Sequence, residues 1–199
     1  MITLSVIVPF YNEEKYLKES VERLLKADIY EHIFLVDDCS YDQSSLIALN
    51  LEKQFKKIIY LKTQRNAGKG NALKVAKDSI KTTHVVIHDA DLEYFPEDIK
   101  EMFILAKENK DSLILGSRFI GNKIRENVYF RTNLANRVMS LFFSFVNFYY
   151  ITDVATCYKL MPTTFFKEVT LKEKGFSIEV ELLSKFLKNN KSILEVPIK

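Results

Sequence analysis

The chain of 199 residues holds only two cysteines, Cys39 and Cys157, far apart and without a CxxC pattern. Neither a disulfide framework nor a zinc site is expected, and a reducing cytoplasm is the simplest home. Charge of one sign is not in excess: 29 basic and 26 acidic residues leave a formal net charge of +3. Composition therefore makes no case for nucleic acid as a partner, while leaving room for an anionic small molecule. Five glycines and four prolines form no linker, and there is no internal repeat or low-complexity tract. Long hydrophobic runs are missing as well. The most apolar later stretch, Val138 to Ile151, is interrupted by Ser140, Ser144 and Asn147 and is too short to span a membrane. It reads as a helix that is buried or lies at an interface. Leu4-Ser5-Val6-Ile7-Val8 reads as a first strand, without the basic segment and small-residue cleavage site of a secretory signal, so none is expected.

Two phosphate-binding signatures are also absent. A dinucleotide fold needs GxGxxG directly after the first strand, and a P-loop needs GxxxxGK followed by Ser or Thr. Val8-Pro9-Phe10-Tyr11-Asn12-Glu13 stands where such a loop would be, so phosphates have to be handled elsewhere.

What is present is a chain with 47% hydrophobic residues, enough for the core of one domain. Strand-like runs at 4–8, 33–36, 58–61, 85–87 and 113–115 alternate with segments of helical periodicity. That alternation predicts an α/β fold with parallel strands and crossover helices. Leu17, Val21, Leu24 and Leu25 suit a first helix, and Leu46, Ile47, Leu49 and Phe55 a second. Ala72, Leu73 and Ala76 belong to a third, and Ile99, Met102, Phe103 and Ala106 to a fourth that starts at Pro96. A polar loop from Gly116 to Asn127 is followed by a long helix from about Arg131. A short strand at 158–161, a helix at 178–187 and a last strand at 193–196 complete the pattern.

In such a sheet the ligand sits beyond the carboxyl ends of the strands. Polar clusters gather there: Tyr11-Asn12-Glu13, Asp37-Asp38-Cys39-Ser40, Arg65 to Gly70, and Asp89-Ala90-Asp91. The last is the most telling. Side chains two apart on an extended backbone point the same way, so Asp89 and Asp91 can face one hard cation, with Ala90 leaving room for a ligand. Mg²⁺ or Mn²⁺ fits, because Mg²⁺ is usually held by one or two carboxylates plus substrate phosphates. Ordinary turn chemistry is the alternative for an isolated Asp-x-Asp.

Asp37 and Asp38 can accept hydrogen bonds from a base or ribose, or can simply serve a helix start beside Ser40 and Asp42. Lys69 lies between two glycines, where the backbone can approach a ligand closely and the ammonium can meet phosphate; a solvated lysine is the alternative. Alternation turns His88 away from Asp89, so it is expected to be packed and not to bind metal. Arg118, Arg125 and Arg131 can clamp phosphate or remain surface arginines.

Taken together, Val6 to Glu13, Val36 to Ser40, Asn66-Ala67-Gly68-Lys69-Gly70, Asp89-Ala90-Asp91 and Gly116-Ser117-Arg118-Phe119 resemble family 2 glycosyltransferases. The resemblance continues through Asp153 to Lys159, Gly175-Phe176 with Glu179 and Glu181, and Glu195-Val196-Pro197-Ile198, and points to the polyprenyl-phosphate sugar synthases. It implies a GT-A fold over residues 1–199, with a nucleotide-binding part at about 1–117 and an acceptor side at about 118–199. Pro9, Tyr11, Glu13 and Asp38 would line the nucleotide, Asp89 and Asp91 (the DXD motif) would hold the metal, and Glu93 would be a further ligand. Arg118 and Arg131 would meet phosphate groups. Cys39 departs from the family, standing where glycine is common.

The implied reaction is inverting transfer of a sugar from a UDP- or GDP-sugar to a polyprenyl phosphate at the inner face of the cell membrane. One alternative is transfer to a sugar hydroxyl in a surface polysaccharide or glycolipid, with Asp153 as the candidate base. Another is a non-catalytic nucleotide-sugar-binding domain. The stretch from Leu141 to Tyr150 decides between lipid and core: apolar nearly all round, it is expected to pack on the sheet, and an interfacial helix is the alternative.

Overall fold

β-branched and aliphatic runs form strands where the pattern places them. The computed structural model describes residues 1–121, 130–175, 177–189 and 192–199, with the side chains of Phe130 and Arg131 outside the described set. The strands are β1 (Leu4–Phe10), β2 (His32–Asp37), β3 (Ile58–Lys62), β4 (His84–Ile87), β5 (Leu113–Ser117), β6 (Lys159–Pro162) and β7 (Ile193–Pro197). The helices are α1 (Leu17–Ala27), α2 (Ser44–Gln54), α3 (Lys69–Ala76), α4 (Pro96–Glu108), α5 (Phe130–Asn147), α6 (Thr163–Glu168) and α7 (Ile178–Lys188). All seven strands join one sheet in the order β3-β2-β1-β4-β6-β5-β7. β6 is antiparallel to both its neighbours, whereas β1 pairs in parallel with β2 and β4, and β5 with β7.

Alternation along each strand divides the core into two layers. Val6, Val8, Leu35, Val86 and Ile114 face Leu17, Val21, Leu24, Ile99 and Met102 of α1 and α4. Ile7, Phe34, Val85, Ile87 and Leu115 face Leu73 of α3, Phe165 and Phe166 of α6, and Leu182 and Phe186 of α7. Each such aliphatic residue removed from water contributes roughly 1.5–3 kcal/mol before the entropy cost of ordering it.

Two helices depart from expectation. α2 forms where predicted, but its buried residues are Ser44, Ala48 and Leu51, while Leu46 and Leu49 face solvent. Serine turns inward because its hydroxyl has work there: Ser44 Oγ accepts the backbone N–H of Glu13 at 2.7 Å. The second departure is α5, which does not pack all round on the sheet. Ser140 and Phe143 are buried, but Leu134, Val138, Leu141, Phe142, Phe145 and Val146 are exposed. Among the described residues no helix is long and apolar enough to cross a membrane.

Candidate active site

Strand order reverses between β1 and β4, since β1, β2 and β3 extend one way from that seam and β4 lies on the other side. At such a switch point the loops diverge and leave a crevice beyond the strand ends. A cavity of about 450 Å³ opens here, lined by Pro9, Tyr11, Glu13, Asp38, Lys69, Ala72, Asp89, Ala90, Asp91 and Gly175. That volume is in the range of small-molecule sites. Pro9, Tyr11, Glu13, Asp38, Lys69, Asp89, Ala90 and Asp91 are thus brought together as expected.

One wall is fixed by hydrogen bonds between the loops after β1 and β2. Asn12 and Glu14 donate backbone N–H groups to Ser40 Oγ (3.0 Å) and Asp42 Oδ2 (3.1 Å), and the Asn12 side-chain oxygen accepts the N–H of Tyr41 (3.1 Å). Asp38 ties in the next loop, accepting N–H bonds from Gly68 (2.6 Å) and Ala67 (3.0 Å) and the Thr63 hydroxyl (3.1 Å). Its neighbour is different. Asp37 is fully buried and does not line the cavity; it accepts from the Ser40 N–H (2.7 Å), the Tyr60 hydroxyl (2.9 Å) and the Ser45 hydroxyl. Burial alone would raise its carboxyl, but the bonds from Ser45, Ser40 and Tyr60 hold it below the ordinary range. Of the two roles open to the pair, Asp37 takes the structural one and is corrected as a nucleotide contact, while Asp38 lines the cavity.

The opposite wall carries the acidic groups. Asp89 and Asp91 leave the end of β4 into the cavity, and the chain turns immediately at Leu92, whose φ of 66° is left-handed. Asp91 is raised to about 6 by loss of water, with the charges of Asp89 and Glu93 adding to it. Glu13 is raised too, first by burial, then by Asp91, Asp42 and Asp89. Crowded carboxylates of this kind favour a cation or a proton between them. Glu93 is not among the cavity residues; it is exposed, and its backbone N–H bonds Asp91 Oδ1 at 3.1 Å. Among the described residues no group of three or more His, Cys, Asp or Glu side chains is arranged to hold a metal. Two carboxylates, with phosphate oxygens supplying the rest, match the way Mg²⁺ is commonly held, so the residues fit such an ion.

Lys69 is neither solvated nor free. Its Nζ lies 2.6 Å from Asp89 Oδ1 and 2.7 Å from Glu179 Oε1. Burial alone would lower its ammonium, yet Glu179 and Asp89 raise it well above the ordinary value, so it stays charged. Of the flanking glycines Gly68 lines the cavity, and both also serve a packing purpose. A Cβ on Gly70 would sit 2.1 Å from the carbonyl oxygen of Glu173, and one on Gly68 2.4 Å from that of Lys174. They admit the 173–174 backbone, which accepts the Gly70 N–H at 2.9 Å.

Behind Lys69 are two charges that the sequence reading left without a role. Glu179, in the first turn of α7, also meets Lys159 Nζ at 2.6 Å, and Lys159 is fully buried against the carbonyls of Val154 and Thr156. The available signal was a lysine inside an otherwise apolar strand and an acid in the first turn of an amphipathic helix.

Asp153 is corrected as a candidate base. It is fully buried and grips Arg118, taking Nε at 2.8 Å, Nη2 at 3.0 Å and the backbone N–H at 3.1 Å. That fork leaves its oxygens committed to positioning the arginine. Arg131 lies in the first turn of α5, but its side chain is outside the described residues, as is Arg125. His88 is packed as expected, between Ser20 Oγ and the Tyr158 hydroxyl, each 3.0 Å away.

The glycosyl transferase family 2 model matches residues 5–170. The chain belongs to this family. A relative from Methanococcus voltae, named UDP-N-acetylglucosamine–dolichyl-phosphate N-acetylglucosaminyltransferase, is 30% identical over 98% of this chain and 84% of its own length. An undecaprenyl-phosphate 4-deoxy-4-formamido-L-arabinose transferase from Proteus mirabilis is 30% identical over 69% of this chain, which spans 42% of that relative. In fold, this family 2 glycosyltransferase matches the glucosyl-3-phosphoglycerate synthase of Mycobacterium tuberculosis, solved in complex with Mn²⁺, UDP and phosphoglyceric acid. The TM-score is 0.77 at 15% identity, covering 98% of this chain and 68% of the other. The architecture is thus the GT-A type.

Proposed function

We propose that this enzyme transfers a sugar, with inversion, from a UDP- or GDP-sugar to a polyprenyl phosphate, acting at the inner face of a cell membrane with Mg²⁺ or Mn²⁺. Residues of about 1–117 hold the donor, and those of about 118–199 face the acceptor. The observation that carries this reading is the coexistence of a carboxylate-walled cavity at the sheet's switch point with an uncovered apolar stripe on α5. A soluble hydroxyl acceptor gives no reason for the stripe. The names of the Methanococcus and Proteus relatives support a polyprenyl phosphate acceptor.

In this reading Asp89 and Asp91 hold the divalent ion, which when bound supplies Lewis-acid stabilisation of the departing diphosphate. Pro9, Tyr11 and Asp38 wall the nucleotide. Arg118, its guanidinium aimed by Asp153, steadies anionic oxygens, and Arg131 is assigned the same task. An oxygen of the lipid phosphate forms the new bond to the anomeric carbon as the bond to the nucleotide diphosphate breaks. That phosphate is already ionised near neutral pH, so no general base is required, in keeping with the engagement of Asp153.

The test is transfer of labelled sugar from a panel of UDP- and GDP-sugars to polyprenyl phosphate in liposomes with Mn²⁺. A glycosylated lipid from one donor is expected, with Asp91→Ala lowering kcat/KM by about 10²-fold or more. Transfer to sugar hydroxyls alone, or full turnover by Asp91→Ala, overturns the reading.

A further inference from the structure

From the cavity to the core runs a file of alternating charges: Asp89, Lys69, Glu179, Lys159. The successive contacts are 2.6, 2.7 and 2.6 Å. The inner end is fixed, because the Lys159 side chain is wholly shielded and its ammonium also bonds the carbonyls of Val154 and Thr156. The outer end opens on the cavity, with the Asp89 side chain 21% exposed. Two positive and two negative charges cancel within the file. Lys69 divides itself between its two carboxylates, so one of the two aspartates offered to a metal already has a cation on it.

We propose that Lys69 is a resident counter-cation that a divalent ion must displace from Asp89, and that once displaced it turns its charge to the donor's diphosphate while Glu179 retains it. This rests on the donor-site reading given above. When the ion takes Asp89, the remaining file of Lys69, Glu179 and Lys159 carries one net positive charge at the cavity wall, where an anion is to bind. Metal and diphosphate binding are thereby coupled through one side chain: each ligand removes an obstacle to the other. Without a diphosphate the displaced ammonium gains nothing new, so the bare ion competes poorly. Lys69 is in this sense a positioning residue, and Glu179 the anchor that keeps it beside the cavity.

The sign of the effect separates this from a structural role. Mn²⁺ binding to the full chain, measured by electron paramagnetic resonance of the free ion with and without UDP, is compared in wild type, Lys69→Met and Glu179→Gln. Lys69→Met is expected to bind Mn²⁺ alone about tenfold more tightly and to lose most of the gain that UDP gives, within the usual range of a coupling between linked sites. Glu179→Gln gives Lys69 wholly to Asp89 and is expected to weaken binding of Mn²⁺ alone. Unchanged or weaker Mn²⁺ binding in folded Lys69→Met overturns the exchange. A second measurement uses the unaltered protein: acetylation of Lys69 by acetic anhydride, followed by mass spectrometry, should accelerate when Mg²⁺ is raised until it saturates the site without UDP, and slow again when UDP is added. Protection that saturating Mg²⁺ leaves unchanged also overturns the proposal. Wild type that binds no Mn²⁺ even with UDP refutes the donor site itself, a different failure.

Discussion

Cys39 carries a φ of 67°, a left-handed conformation that costs a side-chain-bearing residue roughly 1–2 kcal/mol and that glycine adopts freely. Cys39→Gly removes that strain but also loosens the unfolded chain, so a net gain of about 0.5–1 kcal/mol and a melting temperature higher by about 1–4 °C are expected in a thermal scan. His88 sets a different test. Burial, helped by Lys69 and Arg23, pushes its imidazole down to about 3, against an ordinary value of 6.5. Between those values the unfolded chain takes up a proton that the folded protein refuses. His88 therefore contributes stability above pH 6.5 that is lost as pH falls, on the order of 3 kcal/mol by pH 4. Urea unfolding of His88→Gln should show a shallower loss across that window than wild type. At this scale the sequence was readable where short-range pattern decides, as at His88, which follows β4 directly and is packed between Ser20 and Tyr158, whereas Asp89 and Asp91 reach the cavity from the turn beyond the strand. It was unreadable where the partner is distant: Asp153 is engaged by Arg118, 35 residues before it, and Lys69 by Glu179, 110 residues after it.

At the scale of elements, α5 is the informative failure. Its composition is apolar nearly all round, which reads as core, yet only a narrow face containing Ser140 and Phe143 meets the rest of the molecule. Periodicity registers how apolar a face is; whether anything covers it depends on where the neighbouring helices run. Leu134, Val138, Leu141, Phe142 and Phe145 follow helical spacing along one uncovered side, and the helix holds two arginines and no acid. That combination suits an anionic lipid surface. A Leu141→Glu/Phe145→Glu double variant should lose co-sedimentation with liposomes of anionic lipid by about tenfold or more, while its UDP-dependent thermal shift stays that of wild type. Loss of both would show damage to the fold and not to a lipid contact. α2 was misread for a related reason, since Ser44 is drawn inward by the Glu13 backbone, a contact that hydropathy does not record.

At the scale of the whole molecule, the five early strands and their parallel crossovers were legible because buried runs and helical periods alternate so regularly. The placement of β6 was not. An antiparallel strand between β4 and β5 comes from a part of the chain some forty residues after β5, and no local signal announces its direction. The early and late parts of the chain consequently share one sheet, and a fragment ending at residue 121 should fail to fold as a unit. It should show little urea cooperativity and aggregate at micromolar concentration, whereas the full chain unfolds in a single transition.

The same interleaving governs the order in which the molecule assembles as it is made. Both neighbours of β5 lie later in the chain, so a nascent polypeptide can close the β3-β2-β1-β4 block early but must leave residues 113–117 unmatched until 159–162 and 193–197 have left the ribosome. Lys69 waits as well, because Glu179 arrives only with α7. The cavity wall that carries Lys69 is thus completed only after α7 has been made, more than a hundred residues later.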